Sequence, residues 1–378
     1  MTSEKAVGGI TRRGPDKWLV RVFMGRDDSG RVIYHNKTIR GAKRDAVRYR
    51  NKVRTDHDTG SFVEPSKQSV RDFLVKWVEN SAKPRVRPRT YEDYRGLIDR
   101  HLSPALGSRR LGQLQPAEIQ KLYNSLSETL SPRTVRYIHS VLYSALKEAV
   151  RWGELVRNPA GLVNLPKAKG NEMKVLDAQQ LSRLLEAARG TRYYALWLLL
   201  ITTGMRPGEA LALKWADRDG DRLRIRRSLS RSRSGWNFGD TKTDKSSRAV
   251  VLPNSALACL DELRKSQVAE RLACGSSYEN LDLVFASHMG QPLDWRVIAR
   301  RHFKPLLRLA GLPDVRPYDL RHSHATLLLS GGEHPKVVSE RLGHATTYMT
   351  MDVYSHVLPD MQQGAADTVD RLLFKLPA

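Results

Sequence analysis

Four short strings in the C-terminal half of the sequence hold side chains able to do chemistry on an anionic substrate. In TGMRPGEALAL, residues 203–213, Arg206 follows a glycine at the end of a very apolar run, and a guanidinium placed there needs a partner. Glu209, three residues on, could supply a structural ion pair, and a bound anion is the alternative. TKTDKSSRAVVLP, residues 241–253, sets Lys242 in a polar turn between two strand-like runs, where lysines are usually just solvated. In RPYDLRHSHAT, residues 316–326, Arg321, His322 and His324 crowd the start of a helix that runs on through LLLSGG. Such a cluster binds phosphate or metal. No cysteine or carboxylate constellation accompanies it, and a helix N-terminus with arginine favours an anion. In LGHATTYMTMDVYSHVLP, residues 342–359, His344 precedes Tyr354 by ten positions; Tyr348 lies nearby, and spacing alone does not choose between the two phenols.

Helical and strand-like periodicities predict the elements that must position these groups. Asp177 caps a helix whose Leu181, Leu184, Leu185 and Ala188 recur at helical spacing. Tyr193 to Ile201 (YYALWLLLI) is too short to span a bilayer and reads as a buried helix. Strand-like runs follow at 222–229, around Trp236 and Phe238, and at 247–252, with helices resuming after Pro253. The segment is mixed α+β. Beyond Pro359, Met361, Val369, Leu372, Leu373 and Phe374 mark a short amphipathic helix, which packs either on its own domain or on a neighbouring copy.

Upstream, residues 17–24 and 31–39 are β-branched and aromatic and flank the turn-like GRDDSG, so a β-hairpin is expected, followed by a basic helix ending near Gly60. From Ser69, a plausible N-cap, Val70, Phe73, Leu74, Trp77 and Val78 share one helical face. A second helix is expected near Thr90, after the basic connection AKPRVRPR, which could grip phosphates. Others are expected at Pro116 and, most clearly, after Ser131-Pro132, ending at Gly153. A polar, basic linker, LPKAKGNE, leads on to the remainder.

Composition narrows the partner. With 64 Lys plus Arg against 40 Asp plus Glu the net charge is +24, split as +7 over residues 1–65, +10 over 66–170 and +7 over 171–378. Such an excess, spread along 378 residues instead of gathered in one tail, points to nucleic acid ahead of an inert basic surface or an anionic membrane. Cys259 and Cys274 lack metal-ligand spacing and are too few for a disulfide framework, and the N-terminus has no apolar signal core, so a reducing cytoplasm is the expected setting.

Taken together and in this order, the four strings resemble the catalytic domain of the tyrosine recombinase family, which includes phage integrases and chromosome-dimer resolving recombinases. The resemblance runs from about Glu172 to Pro359. By size, order and pattern, the preceding segments are similar to the arm-type and core-type DNA-binding domains of the larger integrases. The resemblance implies a multidomain chain. Residues 1–65 would be a small α+β arm-binding domain with a three-stranded sheet plus helix; 66–166 an all-α core-binding domain; and 172–378 a mixed α+β, mainly helical catalytic domain with a C-terminal tail helix.

The same resemblance implies the chemistry. Tyr354 would be the nucleophile, forming a 3′-phosphotyrosine and releasing a 5′-hydroxyl; the ester conserves the bond energy, so no ATP, metal or other cofactor is expected. Arg206 and Arg321 would clamp the non-bridging oxygens, Lys242 would protonate the leaving oxygen, and His344 would donate to a phosphate oxygen or manage the tyrosine proton. Glu209 would support Arg206. Tyr318 stands where the family most often has histidine; a phenol, with a pKa near 10, is a poor general base, so Tyr318 is expected to position or stabilise. Implied partners are double-stranded DNA attachment sites of core and arm type, a homotetramer in the synapse, and an excision-directing or host DNA-bending protein, all in a bacterial cytoplasm at the nucleoid and away from membranes. Three other readings explain less. A type IB topoisomerase shares the tyrosine chemistry but does not need the two N-terminal segments. A DNA-binding regulator would not require the whole set from Arg206 to Tyr354. A metal-dependent transposase would need an acidic set that is missing.

Overall fold

The computed structural model describes residues 9–59, 62, 68–168, 174–232, 235–240, 247–344, 346–354 and 361–374. The chain divides into two compact units, Met1–Lys169 and Gly170–Ala378.

The first unit opens with the expected hairpin, enlarged by an edge strand. Strands β1 (Ile10–Gly14), β2 (Lys17–Arg26) and β3 (Val32–Arg40) form an antiparallel sheet in the order β1-β2-β3, and helix α1 (Lys43–Asp58) packs against β2. In the turn, Asp27 Oδ1 accepts from the backbone N–H groups of Ser29 and Arg31, both at 2.9 Å. That is how an Asx side chain replaces missing ladder bonds. Val20, Val22, Ala46 and Val53 are buried between sheet and helix, a small core.

An all-helical region follows. Helix α2 (Val70–Trp77) is capped as expected by Ser69, whose hydroxyl accepts from Asp72 N at 3.1 Å, and it widens into a π turn over Val78–Ala82. Helix α3 (Pro88–Leu97) begins two residues before the expected Thr90. Pro88 takes the first helical position, where its missing N–H costs nothing. Helices α4 (Ser103–Leu106), α5 (Pro116–Ser127) and α6 (Pro132–Arg151) complete the region, the last capped by Ser131. Trp77, Ile98, Leu102, Ile138 and Leu142 lie at the centre of its own apolar core.

The second unit starts with α7 (Ala178–Ala188), capped by Asp177, and α8 (Tyr194–Thr203). Helix α8 reads YALWLLLITT, apolar on every side, and it is correspondingly buried on every side. After the single turn α9 (Pro207–Ala210) come β4 (Arg218–Asp219), β5 (Arg222–Ile225), β6 (Arg227–Ser232), β7 (Gly235–Asp240) and β8 (Arg248–Val251). The run at 222–229 was expected as one strand but breaks at Arg226: β5 joins the sheet β4-β5-β8, whereas β6 pairs with β7. Arg227 is drawn away by a bidentate pair with buried Asp217, both bonds at 3.0 Å. Helices α10 (Asn254–Cys274), α11 (Trp295–Ile298), α12 (Lys304–Leu309), α13 (Asp319–Ser330), α14 (Pro335–Leu342), α15 (Thr347–Tyr354) and α16 (Met361–Phe374) follow. Trp197, Leu200 and Phe303 belong to the main core, and Ala325, Leu329, Val338 and Leu342 seal α13 against α14. On α16, Val369, Leu372, Leu373 and Phe374 are exposed. Among the described residues no helix is long and apolar enough to cross a membrane.

Candidate active site

Helix α8 delivers the first arginine. It ends at Gly204 with φ +63, a left-handed stop that also leaves no room for a Cβ, which would fall 2.5 Å from His324 Cδ2. The chain reverses there, and Arg206 becomes the N-cap of α9, with Pro207 at the first helical position. Glu209, in the first turn, accepts from Arg206 N at 2.9 Å and from Arg206 Nη1 at 2.7 Å. The structural ion pair that competed with a functional role for Arg206 therefore exists. It occupies one edge of a guanidinium that is still about a quarter exposed (27%). Burial works against the charge on Arg206, but Glu209 outweighs it, with Tyr318 adding, and raises its ionisation above the ordinary value.

Glu209 has a second client that the sequence reading did not assign. Arg248, at the start of β8, donates Nη2 to Glu209 Oε2 at 3.0 Å and Nε to the carbonyl of Arg341 at 2.7 Å. Glu209 is almost fully buried. Burial pushes its carboxyl up, and the two guanidinium groups more than reverse this and hold it below the usual carboxylate range. Arg341 in turn donates Nη2 to the carbonyl of Thr202 at 2.8 Å and Nε to His324 Nε2 at 3.3 Å. His324 Nδ1 meets the carbonyl of Ile201 at 2.8 Å. A ring that donates through Nδ1 and accepts through Nε2 is neutral, and burial, assisted by Arg341, lowers its pKa to about 4. His324 is thus a structural link between the end of α8 and α14, although it sits in the cationic string.

Arg321 occupies the first turn of α13 and is only 2% exposed. Its Nη1 donates to the carbonyl of Gly204 at 2.8 Å, while Nη2 is buried with no hydrogen-bond partner among the described residues. Burial, then repulsion from Arg206, lowers its pKa from the ordinary arginine value to about 10. A buried guanidinium with an unused donor is costly unless an anion completes it. Tyr318, the residue before α13, is 40% exposed and meets His322 edge to face with ring centroids 5.5 Å apart. His344 follows α14, whose last residue hands over to Gly343 in the left-handed conformation. Its Nδ1 lies 2.8 Å from the hydroxyl of Thr350 in α15. Burial, then the charges of Arg321, Arg206, His322 and Arg248, lower its pKa to about 4.

The structure therefore brings Arg206, Tyr318, Arg321 and His344 within electrostatic reach of one another. Lys242 lies outside the described residues, in the segment between β7 and β8. Tyr354 is the last residue of α15, one turn beyond Thr350; its backbone is described and its side chain is not. The rival Tyr348 is 73% exposed in the first turn of the same helix. Three residues of the network were missed: Arg248, Arg341 and Thr350. For Arg248 a signal was available, since period-two alternation puts it on the same strand face as buried Val250. The other two pair with partners that only the fold brings close.

Chemically, this arrangement suits a phosphate: two planar guanidinium groups, one with a spare buried donor, a phenol and a neutral imidazole converge at the first turn of a helix. Comparison with known proteins points the same way. Residues 174–361 match the Phage integrase family, and residues 69–127 match its N-terminal SAM-like domain. An integrase from Streptomyces ambofaciens is 30% identical over 96% of this chain and 95% of its own length. A tyrosine recombinase XerC-like protein from Caldanaerobacter subterraneus subsp. tengcongensis is 28% identical over 96% of this chain and 97% of its own. Among solved structures, the Tn1549 transposon integrase in complex with a circular intermediate DNA shares the fold with a TM-score of 0.69 at 18% identity, covering 80% of this chain and all of that one. The lambda integrase tetramer bound to a Holliday junction gives 0.57 at 18% identity, covering 89% and 96%. This chain belongs to the phage integrase family of tyrosine recombinases, enzymes that cut and rejoin DNA at specific sites.

Proposed function

We propose that this protein integrates and excises a mobile element, and that the reaction runs through Tyr354. The phenolate oxygen of Tyr354 attacks the scissile phosphorus in line with the 5′-oxygen; the P–O5′ bond breaks, a 3′-phosphotyrosine forms, and the 5′-oxygen leaves with a proton from Lys242. Attack by a 5′-hydroxyl on that ester reverses the step and rejoins the strand. Arg206 and Arg321 neutralise the charge gathering on the non-bridging oxygens, with Tyr318 and His344 adding neutral donors. The observation that carries this reading is the buried, unpartnered Nη2 of Arg321, set against Arg206 at the first turn of α13.

Residues 1–65 bind arm sites and 66–166 bind core sites on double-stranded DNA, supported by the basic excess in both and by the match of 69–127 to the SAM-like domain. Four copies assemble on two sites, as the lambda tetramer does on its junction, in the cytoplasm at the nucleoid, and an excision-directing or DNA-bending protein sets direction. The test uses nicked suicide DNA spanning the element's own junction. Native protein should leave a denaturant-resistant protein–DNA band and the Tyr354→Phe variant should not. Binding by both proteins with no band from either would replace catalysis by simple DNA binding.

A further inference from the structure

The role given to His344 above, a donor to the phosphate, has one rival: the base that takes the proton of Tyr354. The side chain behind it decides. Thr350 is completely buried in α15, and its hydroxyl oxygen is 2.8 Å from His344 Nδ1. In a helix, a threonine hydroxyl commonly donates back to the carbonyl four residues earlier. Here that carbonyl, of Thr346, accepts instead from the hydroxyl of Ser339 at 3.4 Å, and among the described residues His344 is the one partner of the Thr350 hydroxyl. A buried hydroxyl hydrogen needs an acceptor. Were the imidazole proton on Nδ1, it would point at the hydroxyl oxygen and turn the hydroxyl hydrogen into an interior where no second partner stands among the described residues. With Nδ1 bare, the bond forms and the hydroxyl hydrogen is used.

We propose that Thr350 is a positioning residue: its hydroxyl donates to Nδ1 of His344, keeps the single ring proton on Nε2, and so makes His344 a hydrogen-bond donor to the scissile phosphate. The inference rests on the catalytic reading of this site. The ring is neutral at working pH, because burial and the surrounding Arg321, Arg206, His322 and Arg248 all disfavour the imidazolium. Deprotonation of Tyr354 then falls to some other acceptor. The hydrogen bond also ties His344 to the helix that carries Tyr354 one turn further on, so donor and nucleophile are set by one contact.

The test pairs nitrogen-15 spectra of histidine-labelled full-length protein, with His344 assigned by a His344→Gln variant, and single-turnover cleavage of suicide DNA. Native protein and Thr350→Ser should show His344 protonated on Nε2. Thr350→Val should lose that preference and cleave about tenfold to a hundredfold more slowly, the range for losing an outer partner that orients a functional histidine. Thr350→Ser should recover most of the rate, which a merely space-filling role would not predict. Protonation on Nδ1 in the native protein overturns the assignment, and so does a Thr350→Val variant that keeps both tautomer and rate. If Thr350→Val does not fold, the native spectrum and Thr350→Ser decide alone. Absence of any covalent adduct with native protein would remove the catalytic reading and the donor role together, while the spectra would still report whether Thr350 sets the tautomer.

Discussion

Replacing Arg321 with methionine separates the two roles that a buried guanidinium can have, holding the fold or holding a ligand. In the free protein its pKa falls from the ordinary arginine value to about 10, first through burial and then through repulsion by Arg206. At about 1.4 kcal/mol per tenfold change, keeping that charge costs the folded state about 3 kcal/mol. Against this stands the bond to the Gly204 carbonyl, a charged hydrogen bond worth about 2 kcal/mol. The balance predicts that Arg321→Met leaves stability unchanged or raises it by about 1 kcal/mol, as replacement of buried charges by apolar groups often does. For a unit of this size that is a rise of about 2–4 °C in Tm. Cleavage should move the opposite way, by about a hundred- to a thousandfold, since each preorganised charged donor contributes about that much. Thermal unfolding with and without sulfate gives a second reading: the anion should raise Tm more in the native protein than in the variant. A drop in stability of more than about 2 kcal/mol, with no difference in the sulfate effect, would refute the reasoning and make Arg321 a structural residue.

Glu209→Gln should destabilise the second unit by about 3 kcal/mol in denaturant unfolding, because it strands Arg206 and Arg248 without their shared counter-ion. A loss under about 1 kcal/mol would mean that the two guanidinium groups find other partners. His324 sets a pH dependence. Its folded pKa, about 4, is below its ordinary 6.5, so the unfolded chain binds the extra proton; stability is full above about 6.5 and is lost as pH falls toward about 4, by about 3 kcal/mol from this residue. Urea melts between those limits check the slope, and His324→Gln should make it shallower, leaving the share of His344. Tyr318→Phe should slow cleavage by about tenfold, the worth of one neutral hydrogen bond, without altering the pH profile. Undiminished cleavage would remove Tyr318 from the site.

Much of this was legible in the sequence because the informative signals were local. Ser69, Ser131 and Asp177 cap the helices they precede, and the all-apolar 193–201 run became the buried helix α8. Arg206 and Arg321 stood out because each sits at the edge of a helix, the first three residues before a possible partner in Glu209 and the second beside two histidines at a helix start. What was not legible depends on distance along the chain. Arg248 meets Glu209 from 39 residues away and the carbonyl of Arg341 from 93; Arg341 meets Thr202 from 139. No spacing rule reaches that far. The strand broken at Arg226 failed for a related reason, since the bidentate pull of Asp217 on Arg227 is a tertiary effect that overrides strand propensity.

The charge count itself hides the most informative feature. A net charge of +24 was read as a surface property, and most of it is one. Yet Arg248 and Arg321 are buried and Arg206 and Arg341 are half-buried, gathered near the buried carboxylate of Glu209. Among the described residues one carboxylate does not neutralise four guanidinium groups, so the interior of the site is left cationic, and the histidines within it, His324 and His344, are held neutral by burial first and by these charges second. A fold selected for stability alone would have removed this imbalance with a second acid or an apolar side chain. It persists where a phosphate would complete it, and the same imbalance that weakens the free protein is what strengthens the bound one.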